Sequence, residues 1–481
     1  MSPLAGILGG LSPWRGTSSE RRLAAGCAGG MALAAAGSWL RFALARTPRI
    51  DTHGAAFLLA SVVSGAGLVL SGVCSLRLAP RADRLSWRAL WAWAAAAQLG
   101  AFLALALTSK DVFFYLCVGA LKLAGFGPDV IRTSALQGTA LLDPVGGEVW
   151  IDEPSPYGPL FHAIAAGAAW VGRRSGSPLW GTFWTLKAVM LTAVVTALAV
   201  AARHLANRRP AVAAEIFVPL ALGPLVAWEI SGQAHNDGLL FLATIVFWAA
   251  AAKGRDALAV VALSAGVAVK ITLAPLLVLY MILIARTSWR RAFALGLLSL
   301  LVLSAAVASD WASFSPRAVL PLLGGNATRH AHSLADLLCL AFDSLGMPAA
   351  SALAYRLVST ASFLLWAALF AWVAVQARTL VDLARGYLLL MMAIYLTAPW
   401  FQPWYVIWVL PCLIVETDER WRRFIALFAV ISVAQWILPL DPFTTVIGDA
   451  WAVTRLWSLL QLGSERSEAP EAAASQVPEP L

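Results

Sequence analysis

Charge is scarce in this chain of 481 residues: Asp, Glu, Lys and Arg together supply 13% of it. A soluble globular protein carries roughly 25%, so a fully water-facing surface is excluded. Alternating apolar and polar segments of about ten residues are missing, which excludes a transmembrane β-barrel. Cysteine is sparse, at five residues (Cys27, Cys74, Cys117, Cys339 and Cys412). None stands at CxxC or zinc-ligand spacing, so they read as small buried hydrophobes. A Walker phosphate loop, a dinucleotide fingerprint and a Ser-His-Asp signature are all missing too.

What is present is apolar sequence. Hydrophobic residues make up 60% of the chain, and several uncharged runs reach the ~20 residues needed to cross a bilayer. The chain therefore reads as an all-α integral membrane protein. Its net charge of +9 does not point to nucleic acid, because the basic residues sit in short loops between apolar runs, the positive-inside pattern. Most of the 22 tryptophans lie near span ends, as interfacial anchors do. Arg21 and Arg22 precede an apolar run too long for a signal-peptide core, so the first span is expected to stay uncleaved.

Candidate spans are 24–45, 55–76, 88–108, 179–202, 211–229, 238–252, 257–269, 271–285, 292–309, 351–377, 386–399, 403–416, 423–439 and 445–462. The loops RLAPRADRLSWR, RHLANRR, KGRD, RTSWRR, QARTLVDLAR and ETDERWRR are all basic and are assigned to the cytoplasm. Segments 109–178, 310–350 and 399–403 then fall on the far side. PLFHAIAAGAAWVG (159–172) would be a helix of about 21 Å, short of a ~30 Å hydrocarbon core. It is expected to lie on the far surface, beside the membrane. Residues 257–285 are flanked by basic loops at both ends and are expected to form a shallow hairpin with Lys270 at its tip. One transmembrane domain (1–462) is followed by a tail rich in Glu, Ala, Ser and Pro (463–481), expected to be disordered in the cytoplasm.

The polar residues worth weighing lie at the far-side ends of these spans. In SKDVFFYLCVGALKLAG a helix would place Asp111, Tyr115 and Lys122 on one side. Asp111 either starts that helix, stabilised by its dipole, or serves a site. WIDEPSPYGPLF offers Asp152, Glu153 and Tyr157 in a rigid turn, or a solvated loop. WEISGQAHNDGLLF puts His235, Asn236 and Asp237 where a span meets water. No second histidine stands at zinc spacing, so HND is not a zinc motif. Lys270 sits within apolar GVAVKITLAP, where a charge costs ~3 kcal/mol on insertion scales and is a functional candidate unless it snorkels. NATRHAHS adds Arg329, His330 and His332. LTAPWFQPWYVIWVLP crowds Trp400, Gln402, Trp404 and Tyr405 between prolines, suited to a carbohydrate or to an interfacial belt.

Each feature alone is ambiguous, but the charge-based topology puts all of them on one side. A transporter or lipid flippase more often places its charges near the bilayer midplane. Charges at span ends favour an enzyme acting at the far interface on a lipid-linked substrate.

Taken in order, SKDVFFYL, EPSPYGPLF, GQAHNDGLL, VKITLAPLL and FQPWYVIWVLP resemble the bacterial polyprenol-phosphate-mannose-dependent α-1,6-mannosyltransferases. These belong to the membrane-embedded GT-C glycosyltransferase superfamily. The resemblance runs from about residue 88 to 416. It implies a GT-C bundle of about 13–14 transmembrane helices with juxtamembrane helices in the first large far-side loop. It implies that Asp111 is the catalytic acidic residue and that Lys110, Glu153, Tyr157, Asn236, Lys270, Gln402 and Trp404 fall on matching motif positions; with Tyr115, His235, Asp237 and Arg329 from the same far-side ends, these are the expected substrate contacts. Where the family pattern reads HNE, this chain reads HND, one methylene shorter at Asp237.

The partners so implied are a polyprenyl-phosphate-linked hexose donor, a glycan or glycolipid acceptor and membrane lipids. No cofactor or divalent metal is required. A departing phosphate needs cations, for which Lys270, Arg329 and Lys110 are candidates. An acceptor hydroxyl needs a base, for which Asp111 is expected. One base and one displacement invert the anomeric carbon, so a β-linked donor yields an α product. The protein is expected in the bacterial inner membrane with its site facing outward. A related GT-C enzyme for lipid A or protein O-glycosylation is the nearest alternative.

Overall fold

The computed structural model describes residues 17–45, 55–106, 109, 111–128, 131, 133–136, 154–310, 334–397 and 402–434. Among them the secondary structure is helical, without a strand. The chain enters through α1 (Ser18–Ala45) and α2 (Ala55–Leu78), a pair in close contact along its length. Small residues permit this: a Cβ added to Gly30 would stand 2.5 Å from the Gly67 carbonyl and 2.8 Å from the Ser71 amide. In lipid such close packing replaces the hydrophobic drive that water would supply. Helix α3 (Trp87–Phe102) begins at Ser86, whose hydroxyl accepts from the Ala89 amide at 3.2 Å. Its Gln98 is buried yet satisfied. The side-chain amide donates to the Ala221 carbonyl (2.9 Å), and its oxygen accepts from the Ser231 hydroxyl (2.6 Å).

Two shorter helices follow, α4 (Asp111–Leu123) and α5 (Pro159–Arg174), packed against each other. Helix α5 has the length expected of a far-surface helix, and it buries Phe161, His162, Ala165 and Ala168 along one stripe. Then α6 (Pro178–Arg208) runs the full depth of the molecule. Helix α7 (Ala213–Ala221) contains Pro219 and stops before Gly223 and Pro224. Proline at 224 lacks the N–H that would continue it. The chain resumes after a 47° bend as one π-helical turn, Val226–Gly232.

Three short apolar helices then zigzag: α8 (Asp237–Ala251), α9 (Asp256–Val269) and α10 (Ala274–Ala285). The expected hairpin is present. Lys270 breaks the helix in an extended conformation, and the Tyr280 hydroxyl of α10 reaches back to Asp256 at the start of α9 (2.8 Å). The remaining described helices are α11 (Trp289–Ala308), α12 (Leu334–Ser344), α13 (Pro348–Gln376), α14 (Leu380–Thr397) and α15 (Glu419–Ala434). Between α14 and α15 the chain returns through two short 3₁₀ turns, Pro403–Trp408 and Leu410–Ile414.

Five described helices are long and apolar enough to cross a membrane, or six if the bent pair counts as one. The all-α, many-helix arrangement of the described residues is the one expected of the polytopic bundle. Segments 238–252, 257–269, 271–285 and 403–416 form helices or 3₁₀ turns of 12–15 residues, roughly 18–24 Å long. Each is shorter than a straight crossing of a ~30 Å hydrocarbon core. The candidate span 445–462 and the tail lie outside the described residues.

The molecule has two unlike ends. At one, the basic loops close on acidic residues: Arg84 with Glu20 (3.2 Å), Arg422 with Glu215 (3.2 Å), Arg385 with Glu416 (2.7 Å) and Arg291 with Asp256 (2.7 Å). Asp237 lies at the opposite end of α8, about 22 Å away along a helix of that length. There the polar residues gather.

Candidate active site

The π turn carries Glu229 into the interior, and the loop after it aims three side chains. Its bend depends on Ala234, the only described non-glycine residue with positive φ, at 59°. A side chain in that conformation costs roughly 1–2 kcal/mol, and strain of this kind collects where geometry is over-determined. The bend presents His235, Asn236 and Asp237, all fully buried.

His235 lies between two carboxylates. Its Nδ1 is 3.4 Å from Asp111 Oδ2, and its Nε2 is 3.4 Å from Glu229 Oε2. Its ring stacks on Trp404 with centroids 3.8 Å apart, and so is fixed in plane as well as in direction. Burial alone would push the imidazole down. The Asp111 and Glu229 carboxylates outweigh it and hold the ring at about 9, so it is a cation at neutral pH.

Asn236 accepts from the Tyr115 hydroxyl at 3.4 Å through Oδ1. Tyr157 donates in turn to Tyr115 (3.5 Å), and the two rings meet edge to face at 5.3 Å. Among the described residues Asn236 Nδ2 is buried without a hydrogen-bond partner, a donor left for a ligand atom. Asp237 pairs with Lys270 (3.2 and 3.4 Å) and accepts from the Trp408 indole at 2.5 Å. Lys270 is enclosed by the Trp408, Tyr405 and Tyr157 rings at 5.1, 5.4 and 5.8 Å. The hairpin thus sets its tip lysine against the start of α8.

Tyr157 is held from behind. Ser155 Oγ accepts from the Tyr157 amide at 3.3 Å, and the Gly158 amide donates to Val269 O at 2.9 Å. A Cβ on Gly158 would collide with the Ala268 carbonyl, so only glycine lets the loop lie this close to the hairpin. Ser155 also meets His162 Nε2 at 2.9 Å, and His162 Nδ1 meets Asp310 Oδ2 at 3.2 Å. Asp310 is paired on its other oxygen with Lys122. Burial, with Lys122 beside it, pushes His162 down to about 3, so the ring is neutral. With Nδ1 donating to Asp310, Nε2 accepts from the Ser155 hydroxyl. The sequence shows no Ser-His-Asp signature, yet the fold assembles that order of contacts. Here it is a clamp: Ser155 is 3% exposed and already holds the Tyr157 backbone.

Of the expected site residues, the structure brings together Asp111, Tyr115, Tyr157, His235, Asn236, Asp237, Lys270 and Trp404. Gln402 is buried just ahead of Trp404 in the same turn. Lys122 leaves the stripe it shares with Asp111 and Tyr115 and pairs with Asp310 instead. Lys110, Glu153 and Arg329 lie outside the described residues. Sequence reasoning passed over Glu229, Trp408, His162, Ser155 and Asp310. Glu229 had a usable signal, an acid inside the apolar run LVAWEIS. Among the described residues no group of three His, Cys, Asp or Glu side chains is arranged to hold a metal ion.

Carboxylates, an imidazolium, a boxed lysine and stacked aromatic planes suit a sugar whose transfer separates charge. No curated protein and no solved structure gives a match to the chain. The family described as alpha-(1->6)-mannopyranosyltransferase, N-terminal domain, matches residues 13–286. That region covers more than half of the chain and includes Asp111, Tyr157, His235, Asn236, Asp237 and Lys270, so the protein belongs to the alpha-(1->6)-mannopyranosyltransferase family.

Proposed function

We propose that the protein transfers mannose from a polyprenyl-phosphate donor to a sugar hydroxyl of a glycolipid or polysaccharide, on the extracytoplasmic face of the bacterial inner membrane. The product is an α-1,6 linkage formed with inversion. One observation carries the choice of base. Three carboxylates bound the described site, and Asp237 and Glu229 have fully buried side chains, whereas that of Asp111 is 12% exposed. Asp111 is the one an acceptor can reach.

The reaction balances as a single displacement. The acceptor oxygen forms a bond to the anomeric carbon and gives its proton to Asp111. The bond from that carbon to the phosphate oxygen breaks, and polyprenyl phosphate leaves with the electron pair. His235, charged and in contact with Asp111, favours the ionised carboxylate beforehand. Lys270 supplies positive charge for the departing phosphate, with Arg329 and Lys110 as further contributors from the far-side loops. Asn236 Nδ2 is the donor for a sugar or phosphate oxygen, and Glu153 is a second polar contact for the acceptor. Trp404 and Gln402 offer a plane and an amide to a pyranose ring. Among the described residues the other two carboxylates are sealed off or paired, which favours a single displacement with inversion.

The test is transfer of labelled mannose from polyprenyl-phosphate-mannose in membranes, wild type against Asp111→Asn at matched protein level. Loss of a general base predicts a fall of about 10²–10⁴-fold. Full activity in the variant would move the base elsewhere, and no transfer by the wild type would refute the donor.

A further inference from the structure

Lys187 has no part in the chemistry above, yet it is a fully buried lysine in the middle of α6. Among the described residues its ammonium is met by carbonyls and ring faces, with no carboxylate within ion-pair reach. It donates to Ala104 O at 2.7 Å and to Gly232 O. The Phe183, Phe102 and Trp184 rings surround it at 5.5, 5.6 and 5.7 Å. A charge in such a place is costly and is kept where it does something specific.

The two carbonyls are informative. Ala104 lies two residues beyond the end of α3, and the chain continues to Ser109 and Asp111. Gly232 is the last residue of the π turn, and the chain continues to the strained Ala234 and to His235. A helix ends with carbonyls that lack intrahelical partners and carry partial negative charge. One side chain satisfies a carbonyl from each of the two segments at once. The same two segments touch again further on: the Ser109 amide donates to Gln233 Oε1 at 3.4 Å, and Asp111 meets His235 at 3.4 Å. Lys187 lies behind both contacts.

We infer that Lys187 is the positioning residue of the active site, a buried cation that ties the end of α3 to the end of the π turn and so fixes Asp111 against His235. It touches no reacting atom. The inference makes sense of a feature the fold alone does not require. An apolar side chain at position 187 would pack among three aromatic rings without desolvating a charge. The lysine amino group also binds two carbonyls from different segments. The catalytic consequence rests on the mannosyl-transfer reading; the structural tie does not.

The experiment therefore has two readouts on purified full-length protein: wild type, Lys187→Met, Lys187→Gln and, as a control elsewhere on α6, Leu198→Ala. The first is amide hydrogen exchange. In Lys187→Met, peptides covering 103–106 and 232–237 should exchange at least tenfold faster, with α1, α2 and α13 unchanged. Lys187→Gln keeps two N–H donors and should recover part of that protection. The second is mannosyl transfer. Lys187→Met should lower kcat at least tenfold with KM for the donor within about twofold, and should move the acidic limb of the kcat–pH profile upward. That limb reports Asp111, which is faced by His235 on the α8 side, by Tyr115 on its own helix and by Tyr157 from the loop before α5. Losing the His235 contact removes a positive charge from beside that carboxylate. Leu198→Ala should move neither the two peptides nor the limb. If those peptides exchange at the wild-type rate in Lys187→Met, or if exchange rises evenly along α6, the tie does not exist. If Met does not yield folded protein, Gln decides: faster exchange at those two peptides alone with a raised acidic limb supports the carbonyl tie, and wild-type exchange at both overturns it. A general loss of protection in Gln overturns it. If the wild type transfers no mannose, the donor reading fails and the exchange data still decide the fate of the tie.

Discussion

At the scale of single residues, the site depends on a loop bent against its own backbone preference. Ala234 holds φ at 59° where glycine would be at ease. Ala234→Gly should therefore raise the thermal midpoint in detergent, by removing roughly 1–2 kcal/mol of strain. It should also slow mannosyl transfer several-fold, because the loop that aims His235 gains freedom. A lower midpoint with full activity would show that the bend is not under strain. His235 makes a second prediction. In the folded chain its ring stays charged up to about pH 9, whereas the ordinary value is 6.5. The stabilisation it draws from Asp111 and Glu229 is complete below about pH 6.5 and is lost as pH climbs through about 9. The midpoint should fall across that window, and His235→Gln should flatten the fall. An equal slope in the variant would assign it to another group. Much of this residue-level picture is legible in the sequence, because Asp111, His235, Asn236, Asp237 and Lys270 stand out as polar islands in apolar text. What cannot be read there is pairing. Nothing in the order of residues says that His235 faces Glu229 six positions upstream, which takes the widened π turn, or that Trp408 donates to Asp237 across the interior.

At the scale of elements, periodicity and punctuation carry most of the information. The hairpin tip at Lys270 is visible as a charge between two apolar runs too short to cross, and α5 as a helix too short to span. The bend between α7 and the π turn is less so, since LALGPLVAW reads as continuous apolar sequence with one proline. The Ser155–His162–Asp310–Lys122 clamp could not be seen at all, because its members come from four segments and meet only through the packing of α4 on α5 and the end of α11. The α1–α2 pair allows a sharp test. Gly30 sits where any side chain would strike the Gly67 carbonyl, a backbone atom that cannot move aside alone. Gly30→Leu should push the helices apart and cost ~1–3 kcal/mol or more as overpacking, lowering the midpoint. Gly29→Leu, one position earlier and with open space for a Cβ, should leave it unchanged. Equal effects from the two would mean that the close approach does not hold the pair.

At the scale of the whole molecule, the useful feature is polarity from end to end. Helix α14 leaves Arg385 near the basic end and runs up, and the 3₁₀ return from Gln402 to Glu416 brings the chain back to pair with that same arginine. The zigzag of α8, α9 and α10 does likewise, with Asp237 and Lys270 at one end and Lys253 to Asp256 at the other. Hydropathy alone counts these passes as spans, because apolar content does not distinguish a crossing helix from a buried half-length one. The positive-inside assignment does not depend on that count, since each out-and-back pass returns the chain to the side it left. Orientation can therefore be tested without settling the number of crossings. The five native cysteines are buried, so a maleimide that cannot cross membranes should find little background. Ser175→Cys, exposed between α5 and α6 at the site end, should be labelled in intact cells whose outer barrier is permeable to the reagent. Arg255→Cys, exposed at the basic end between α8 and α9, should be labelled only after the inner membrane is opened. Labelling of both in intact cells would argue for a pathway open to either side, as a transporter needs. The reverse pattern would turn the site toward the cytoplasm, where a sugar donor need not hang from a lipid, and the reading of the donor would fall with it.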